Sequence, residues 1–294
     1  MPFGNITAVR FRGRMITLMQ SIVEKKYFAR LKQVALFPVH LLLTSRFRMV
    51  GYVLLFPIYS LLDARFGFTV FFRHAGSWWA YTRGKIFPVP APRVYVLEYF
   101  RRFVPGKGSL VFDVGGELGY ETEQFSMMVG PGGRVVVFEC LPDHIARLRA
   151  LASRRKNICI VERACWDKAT KLEFFVGHTP GSNTAVASAR GQHGQALANQ
   201  LSPKLTVEAD TLDSLWRDYA GGQTVDFLKM DIEGAEYEAL AGAAEMLRQT
   251  RRAVIAAYHI RDGVRTANRV AEMMRSAGFR VEIGDNYHVY AHRI

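Results

Sequence analysis

From residue 94 onward the chain alternates between short, continuous apolar runs and stretches with the period of a helix. The runs at 110–114, 134–139, 158–162 and 171–176 predict four strands, and those at 225–230 and 253–257 predict two more. Helical spacing predicts helices over 94–102, 120–129, 235–247 and 266–277, with another opening at Pro142, a residue suited to a first helical position. A closing pair of strands is expected at 279–283 and 288–292. Strands that are apolar on both faces and alternate with helices make a mostly parallel sheet covered on both sides, so the expected fold class is α/β. The stretch 177–203 has little apolar pattern and carries Gly181, Ser182, Asn183 and Thr184, which reads as a loop.

Upstream of residue 94 the pattern is different. Residues 1–62 alternate basic clusters with two apolar runs, 34–44 and 50–62. Each run is shorter than the ~18 residues of a transmembrane helix and contains a proline, Pro38 or Pro57. No clean apolar stretch with a small-residue cleavage site follows the first charges, so a secretory signal is not expected. Two main readings stay open for this segment, with a re-entrant or spanning hairpin as a third. It is a helical extension covering a groove of the main domain or of a second subunit in a homo-oligomer, or it lies on an anionic membrane surface. Residues 63–93 read as a connector, in which Pro88, Pro90 and Pro92 forbid a helix and favour an extended path. The expected organisation is an N-terminal extension with its connector over 1–93 and a domain over 94–294.

Charge sharpens that division. The chain carries 39 Lys and Arg against 26 Asp and Glu, a net +13. Residues 1–90 hold thirteen of the basic side chains and only Glu24 and Asp63 of the acidic ones, so +11 of that charge lies there. A basic segment that is also apolar suits anionic lipid better than nucleic acid. The arginine-glycine repeats and paired aromatics of an RNA platform are missing, and no nucleic-acid partner is expected. Cys140, Cys159 and Cys165 form no Cys-x-x-Cys pair, which fits a reducing compartment. The expected location is therefore cytoplasmic, with peripheral attachment to the inner face of the membrane as the variant raised by the basic segment. Eight scattered histidines show no metal-ligand spacing, and no metal site is expected.

Three motifs carry candidate chemistry. In the first, a strand ending at Asp113 and Val114 runs into Gly115, Gly116, Glu117, Leu118 and Gly119 before a helix. Gly115 and Gly119 permit close backbone approach to a ligand near free N–H groups of a helix start. Glu117 breaks the dinucleotide pattern, because a pyrophosphate there would meet a carboxylate, whereas a ligand with a cationic sulfur would not be penalised. In the second motif Glu139 closes the next strand, 24 positions beyond Gly115, where a carboxylate can accept from both ribose hydroxyls. The alternative is a strand-end Glu capping a neighbouring helix. The third motif crowds Lys229, Asp231, Glu233 and Glu236 at the end of an apolar strand where a helix begins, the edge at which open α/β sheets bind ligands.

The run Lys229-Met230-Asp231-Ile232-Glu233-Gly234-Ala235-Glu236, downstream of Asp113-Val114-Gly115 with Gly119-Tyr120 and of Phe138-Glu139, resembles the FkbM family of S-adenosylmethionine-dependent methyltransferases. Arg163-Ala164-Cys165-Trp166-Asp167, Thr211 to Leu215, and Ala256-Ala257-Tyr258-His259 with Asp262 match in the same order. The resemblance covers 94–294. It implies a Rossmann-like, seven-stranded methyltransferase sheet with S-adenosyl-L-methionine across the ends of the first strands. Asp113, Gly115, Gly116, Glu117 and Gly119 would then line the methionine end, Glu139 and Cys140 the ribose, and Ala164 and Cys165 the adenine. Two departures stand out: Glu117 and Leu118 replace small polar residues, and Cys140 replaces the proline that usually follows the strand-end Glu. Methyl transfer to an alcohol needs alignment and removal of a proton. Asp231 and His259 are the candidate bases, with Lys229 and Glu233 beside them. The structural alternatives are a His259 fixed by Asp262, and an ion pair of Lys229 with Asp231 and Glu233. The implied reaction is O-methylation of a secondary metabolite, a glycan or a lipid-linked acceptor, with N-methylation as the other enzymatic option. A catalytically weak, membrane-associated assembly subunit is the non-enzymatic one.

Overall fold

The computed structural model describes residues 69–74, 77–82, 85–90, 95–177, 183–191, 196–197 and 204–293. The expectations for residues 1–62 fall outside these. The chain divides into two compact units, Met1–Val94 and Tyr95–Ile294.

In the first unit the expected connector is instead a small antiparallel sheet of β1 (Thr69–His74), β2 (Ser77–Thr82) and β3 (Lys85–Val89), in that order. Pro88 pairs with Trp79. It is tolerated because β3 is an edge strand, where a residue without an N–H costs no ladder bond.

The second unit opens with a 3-10 turn at Tyr95–Phe100, where the apolar spacing predicts an α-helix. Its main sheet is built from β4 (Leu110–Val114), β5 (Arg134–Phe138), β6 (Ile158–Val161), β10 (Phe227–Met230), β11 (Arg252–Ala256), β14 (Arg280–Ile283) and β15 (His288–His292). The order is β14-β15-β11-β10-β4-β5-β6, seven strands of which only β15 runs antiparallel to its neighbours. Every residue of β4 and β10 is buried, as strands covered on both faces require. The covering helices are α1 (Tyr120–Val129), α2 (Pro142–Arg154), α3 (Leu212–Ala220), α4 (Glu236–Ala241), α5 (Ala244–Arg248) and α6 (Ala267–Ser276). Phe112, Phe138, Leu212, Met230, Ile255 and Met274 belong to the main apolar core. Among the described residues no helix is long and apolar enough to cross a membrane.

Two further predicted elements change. The run at 171–176 forms β8 (Thr170–Phe175), which lies outside the main sheet with β7 (Ala164–Cys165) and β9 (Lys204–Asp210). β9 was not expected, although Leu205, Val207 and Ala209 alternate with polar residues at the strand period. The helix predicted over 235–247 is broken into α4 and α5. A Cβ at Gly242 would lie 2.2 Å from the Trp166 carbonyl oxygen, so this turn packs backbone on backbone. The second helix then restarts on the Asp213 carboxylate, which accepts from the N–H groups of Glu245 and Met246. A two-stranded ribbon, β12 (Ile260–Arg261) and β13 (Val264–Arg265), precedes α6.

Candidate active site

The strand order reverses between β4 and β10, and the carboxyl ends of these strands carry the first and third sequence motifs side by side. The contact is tight. Gly115 has φ +84°, and a Cβ on it would lie 1.9 Å from the Asp231 carbonyl oxygen. Its N–H and that of Gly116 donate to the Phe138 carbonyl, so the turn is tied to the end of β5 as well. A cavity opens here. Its walls include Gly115, Glu117, Glu121, Glu139, Lys229, Asp231 and Glu233, with Ala164, Cys165 and Trp166 on the side of the small sheet.

Lys229 is buried beneath this wall. Its ammonium pairs with Asp113 Oδ1 at 3.0 Å and donates to the Gly115 carbonyl at 2.6 Å. Burial alone would lower its pKa, but the carboxylates of Asp113, Glu121 and Asp231 outweigh that and hold it above the usual lysine value. Asp113 accepts a second bond from Thr122 Oγ1 and is fully buried. It therefore supports the turn from behind and does not line the cavity, contrary to its expected place at the methionine end. Gly116 and Gly119 are likewise packing positions. Added Cβ atoms there would meet Val137 and Leu148, respectively at 2.3 and 3.0 Å, which is how α2 comes close to the turn. The alternative of an ion pair of Lys229 with Asp231 and Glu233 gives way to the pair with Asp113.

Glu139 is held as a strand-end acceptor. Its Oε1 takes N–H bonds from Cys140 and Leu141, and its Oε2 takes one from Glu117 at 2.8 Å. Glu117 reaches it by adopting φ +46°. His144 Nδ1 lies 3.4 Å from Glu139 Oε2; burial would lower this imidazole, but the carboxylate raises it overall. Burial also pushes the Cys140 thiol up, and it pushes the Glu121 carboxyl up to about 7.

Asp231 sits at the other end of the wall. Two phenols, Tyr99 and Tyr258, donate to its Oδ2 at 2.6 and 2.9 Å, and burial with this carboxylate raises both phenols well above their ordinary pKa. Its Oδ1 is buried and has no hydrogen-bond partner. His259, fully buried, places Nε2 3.2 Å from Glu233 Oε2 and 3.8 Å from Asp231 Oδ1, and Nδ1 3.0 Å from Glu236 Oε1. It is thus fixed by Glu233 and Glu236, not by Asp262. Burial would depress this imidazole, yet Glu236 and Glu233 raise it well above the ordinary histidine value. Burial raises the Glu233 carboxyl to about 7, against the pull of His259. Asp231, Glu233 and His259 also form a group of metal-capable donors, where no metal site is expected; the crowding of Asp231 with Glu233 and Glu236 in one motif was the available signal, and His259 is the donor that motif does not contain.

Tyr99, Glu121 and the orienting role of Glu236 were missed at the level of sequence. Tyr99 stands 132 positions from the carboxylate it binds, so no spacing rule reaches it. Glu121 follows the glycine turn by two residues, and its place in the first turn of α1 was the available signal.

A model of the methyltransferase FkbM domain matches residues 113–281, more than half of the chain. The chain belongs to the FkbM methyltransferase family. A curated relative from Sinorhizobium fredii, the 2-O-methyltransferase NoeI, is 24% identical over 148 residues, covering 48% of this chain and 60% of its own length. The chain thus spans less than two thirds of that relative. The solved methyltransferase FkbM from Methylobacillus flagellatus superposes with a TM-score of 0.46 at 16% identity, over 68% of this chain and 48% of the other. Aeropyrum pernix fibrillarin, solved with natively bound S-adenosyl-L-methionine, gives 0.41 at 14% identity over 76% and 97%. Within the FkbM match lie both the glycine turn and the Asp231–His259 edge, whereas Tyr99, which also lines the cavity, precedes it.

Proposed function

We propose that this FkbM-family chain binds S-adenosyl-L-methionine in the cavity between Glu139 and Asp231 and methylates a hydroxyl of a small-molecule, glycan or lipid-linked acceptor. The observation that carries this reading is the acidic wall at the switch point of the sheet. Glu117, Glu121, Glu139, Asp231 and Glu233 line it, against Arg163, His144 and Lys229, the last engaged by Asp113. Such a wall fits a ligand bearing a sulfonium and a ribose, since carboxylates accept from hydroxyls and attract a cation. When bound, the cofactor supplies an electrophilic methyl group. Glu139, pinned by three backbone N–H groups, keeps one lone pair, on Oε2, for a ribose hydroxyl. The hydroxyl of an acceptor must lose its proton at the opposite edge, where Asp231 Oδ1 is without a hydrogen-bond partner and His259 Nε2 stands 3.8 Å from it. Oxygen as the accepting atom is supported by the name of the distant relative, a 2-O-methyltransferase.

Calorimetric titration with S-adenosyl-L-methionine tests the cofactor half; the wild type binds and Glu139→Ala does not. A wild type that fails to bind at millimolar concentration would refute it. Extracts incubated with the protein and isotope-labelled cofactor, then searched by mass spectrometry for a labelled methyl on oxygen, test the acceptor half.

A further inference from the structure

We infer that Asp231, Glu233 and His259 form a binding site for a divalent cation at the edge of the cavity. One donor atom from each of the three lies within 4.8 Å of the others, and His259 Nε2 stands 3.2 Å from Glu233 Oε2 and 3.8 Å from Asp231 Oδ1. An ion with ligand distances of about 2.0–2.4 Å holds its ligand atoms roughly 3–5 Å apart, so one ion can touch all three.

Each donor is also oriented as a ligand would be. Asp231 has its Oδ2 occupied by two phenols, which leaves Oδ1 buried and without a partner. His259 is fully buried, with the Glu236 carboxylate 3.0 Å behind its Nδ1. Carboxylate behind imidazole is the arrangement that fixes the tautomer and raises the basicity of metal-ligating histidines. The local charge is unbalanced as well. Three carboxylates, Asp231, Glu233 and Glu236, surround one imidazole, and the nearby Lys229 is engaged by Asp113.

This deepens the proposed function and uses the same site. With a cation present, Asp231 and His259 act on the acceptor hydroxyl through the ion instead of as its direct base. A cation held there would make an acceptor hydroxyl beside it more acidic, and Asp231, Glu233 and His259 would serve as its ligands.

The test needs neither cofactor nor acceptor. The full chain, stripped with a chelator, is titrated with Mn²⁺ and followed by electron paramagnetic resonance. Binding with a dissociation constant below about 1 mM is expected, with a pulsed-resonance coupling to an imidazole nitrogen. Asp231→Asn and Glu233→Gln should each weaken binding by about tenfold or more. Absence of binding, a bound ion without nitrogen coupling, or equal affinity in both variants would overturn the site. The last result would mean binding by surface carboxylates, and the first that the cluster holds no ion. If a variant fails to fold, the nitrogen coupling of the wild type decides. Methyl transfer is not read, so loss of the methyltransferase reading leaves this result standing, and the reverse.

Discussion

Replacing Lys229 by Met would expose how much of the site depends on one buried ion pair. Lys229 is 2% exposed, and its ammonium has two strong partners, Asp113 at 3.0 Å and the Gly115 carbonyl at 2.6 Å. Methionine fills most of the same volume, so a cavity contributes little. What remains is the fully buried carboxylate of Asp113, with Glu121 close by and no cation to offset either. Removing one partner of a buried pair costs about 3–5 kcal/mol, a loss of roughly 10²–10³·⁵ in the folding equilibrium. Adding Asp113→Asn to Lys229→Met removes the stranded charge, so the double variant should recover at least ~2 kcal/mol of the single variant's loss. Urea denaturation followed by far-UV circular dichroism measures this as a fall in midpoint at constant slope. A Lys229→Met variant within ~1 kcal/mol of wild type, or a double variant no better than the single, would refute the account of Lys229 as the counter-ion under the glycine turn.

Three further outcomes are expected. Gly115→Ala places a methyl group 1.9 Å from the Asp231 carbonyl at a φ of +84°, so binding of S-adenosyl-L-methionine should fall by at least ~100-fold; near-wild-type affinity by calorimetry would contradict the close approach of β4 and β10. Glu139→Gln puts an amide donor against the N–H groups of Glu117, Cys140 and Leu141, which should weaken the same binding by about tenfold or more, and an unchanged titration would remove Glu139 from the site. His288 is pushed down to about 4, chiefly by burial. A depressed histidine leaves the unfolded chain binding more protons, so its contribution is complete above the unfolded value near 6.5 and is lost as pH falls toward 4. Between pH 7 and 4.5 the wild type should therefore lose about 2.5 kcal/mol more than His288→Phe, read as the difference between their denaturant midpoints; equal acid losses would show that His288 is not buried neutral.

Much of the fold could be read directly because its strands are local signals. Leu110–Val114 and Arg134–Phe138 are apolar runs framed by turn residues, and they form strands where the pattern places them. Elements whose identity depends on tertiary contact were harder. The break between α4 and α5 depends on Trp166 pressing against Gly242 and on Asp213 capping the restart. Both partners are distant in sequence, and local helical period cannot register them. The same limit applies to the site. A strand-end carboxylate is easily recognised, but whether it faces the ligand or the core depends on its neighbours. Asp113 and Glu139 look alike in sequence, yet Asp113 is spent on Lys229 while Glu139 lines the cavity.

Glu117 shows how far a single-residue argument can be carried. In sequence it counts against a dinucleotide only by its charge. The fold adds a second reason that does not depend on charge. The N–H of Glu117 is donated to Glu139, those of Gly115 and Gly116 go to Phe138, and that of Gly119 goes to Gly116. A pyrophosphate at a glycine turn is held by such N–H groups, and here these four already have acceptors within the chain. Carboxylates of Glu117 and Glu121 flank the turn where a phosphate would lie. The turn thus disfavours an anion both by donor count and by charge, while the same acidic wall favours a cationic ligand. What this strand-turn-helix can hold therefore depends on where its backbone donors point, and Glu139 is the residue that redirects the donor of Glu117.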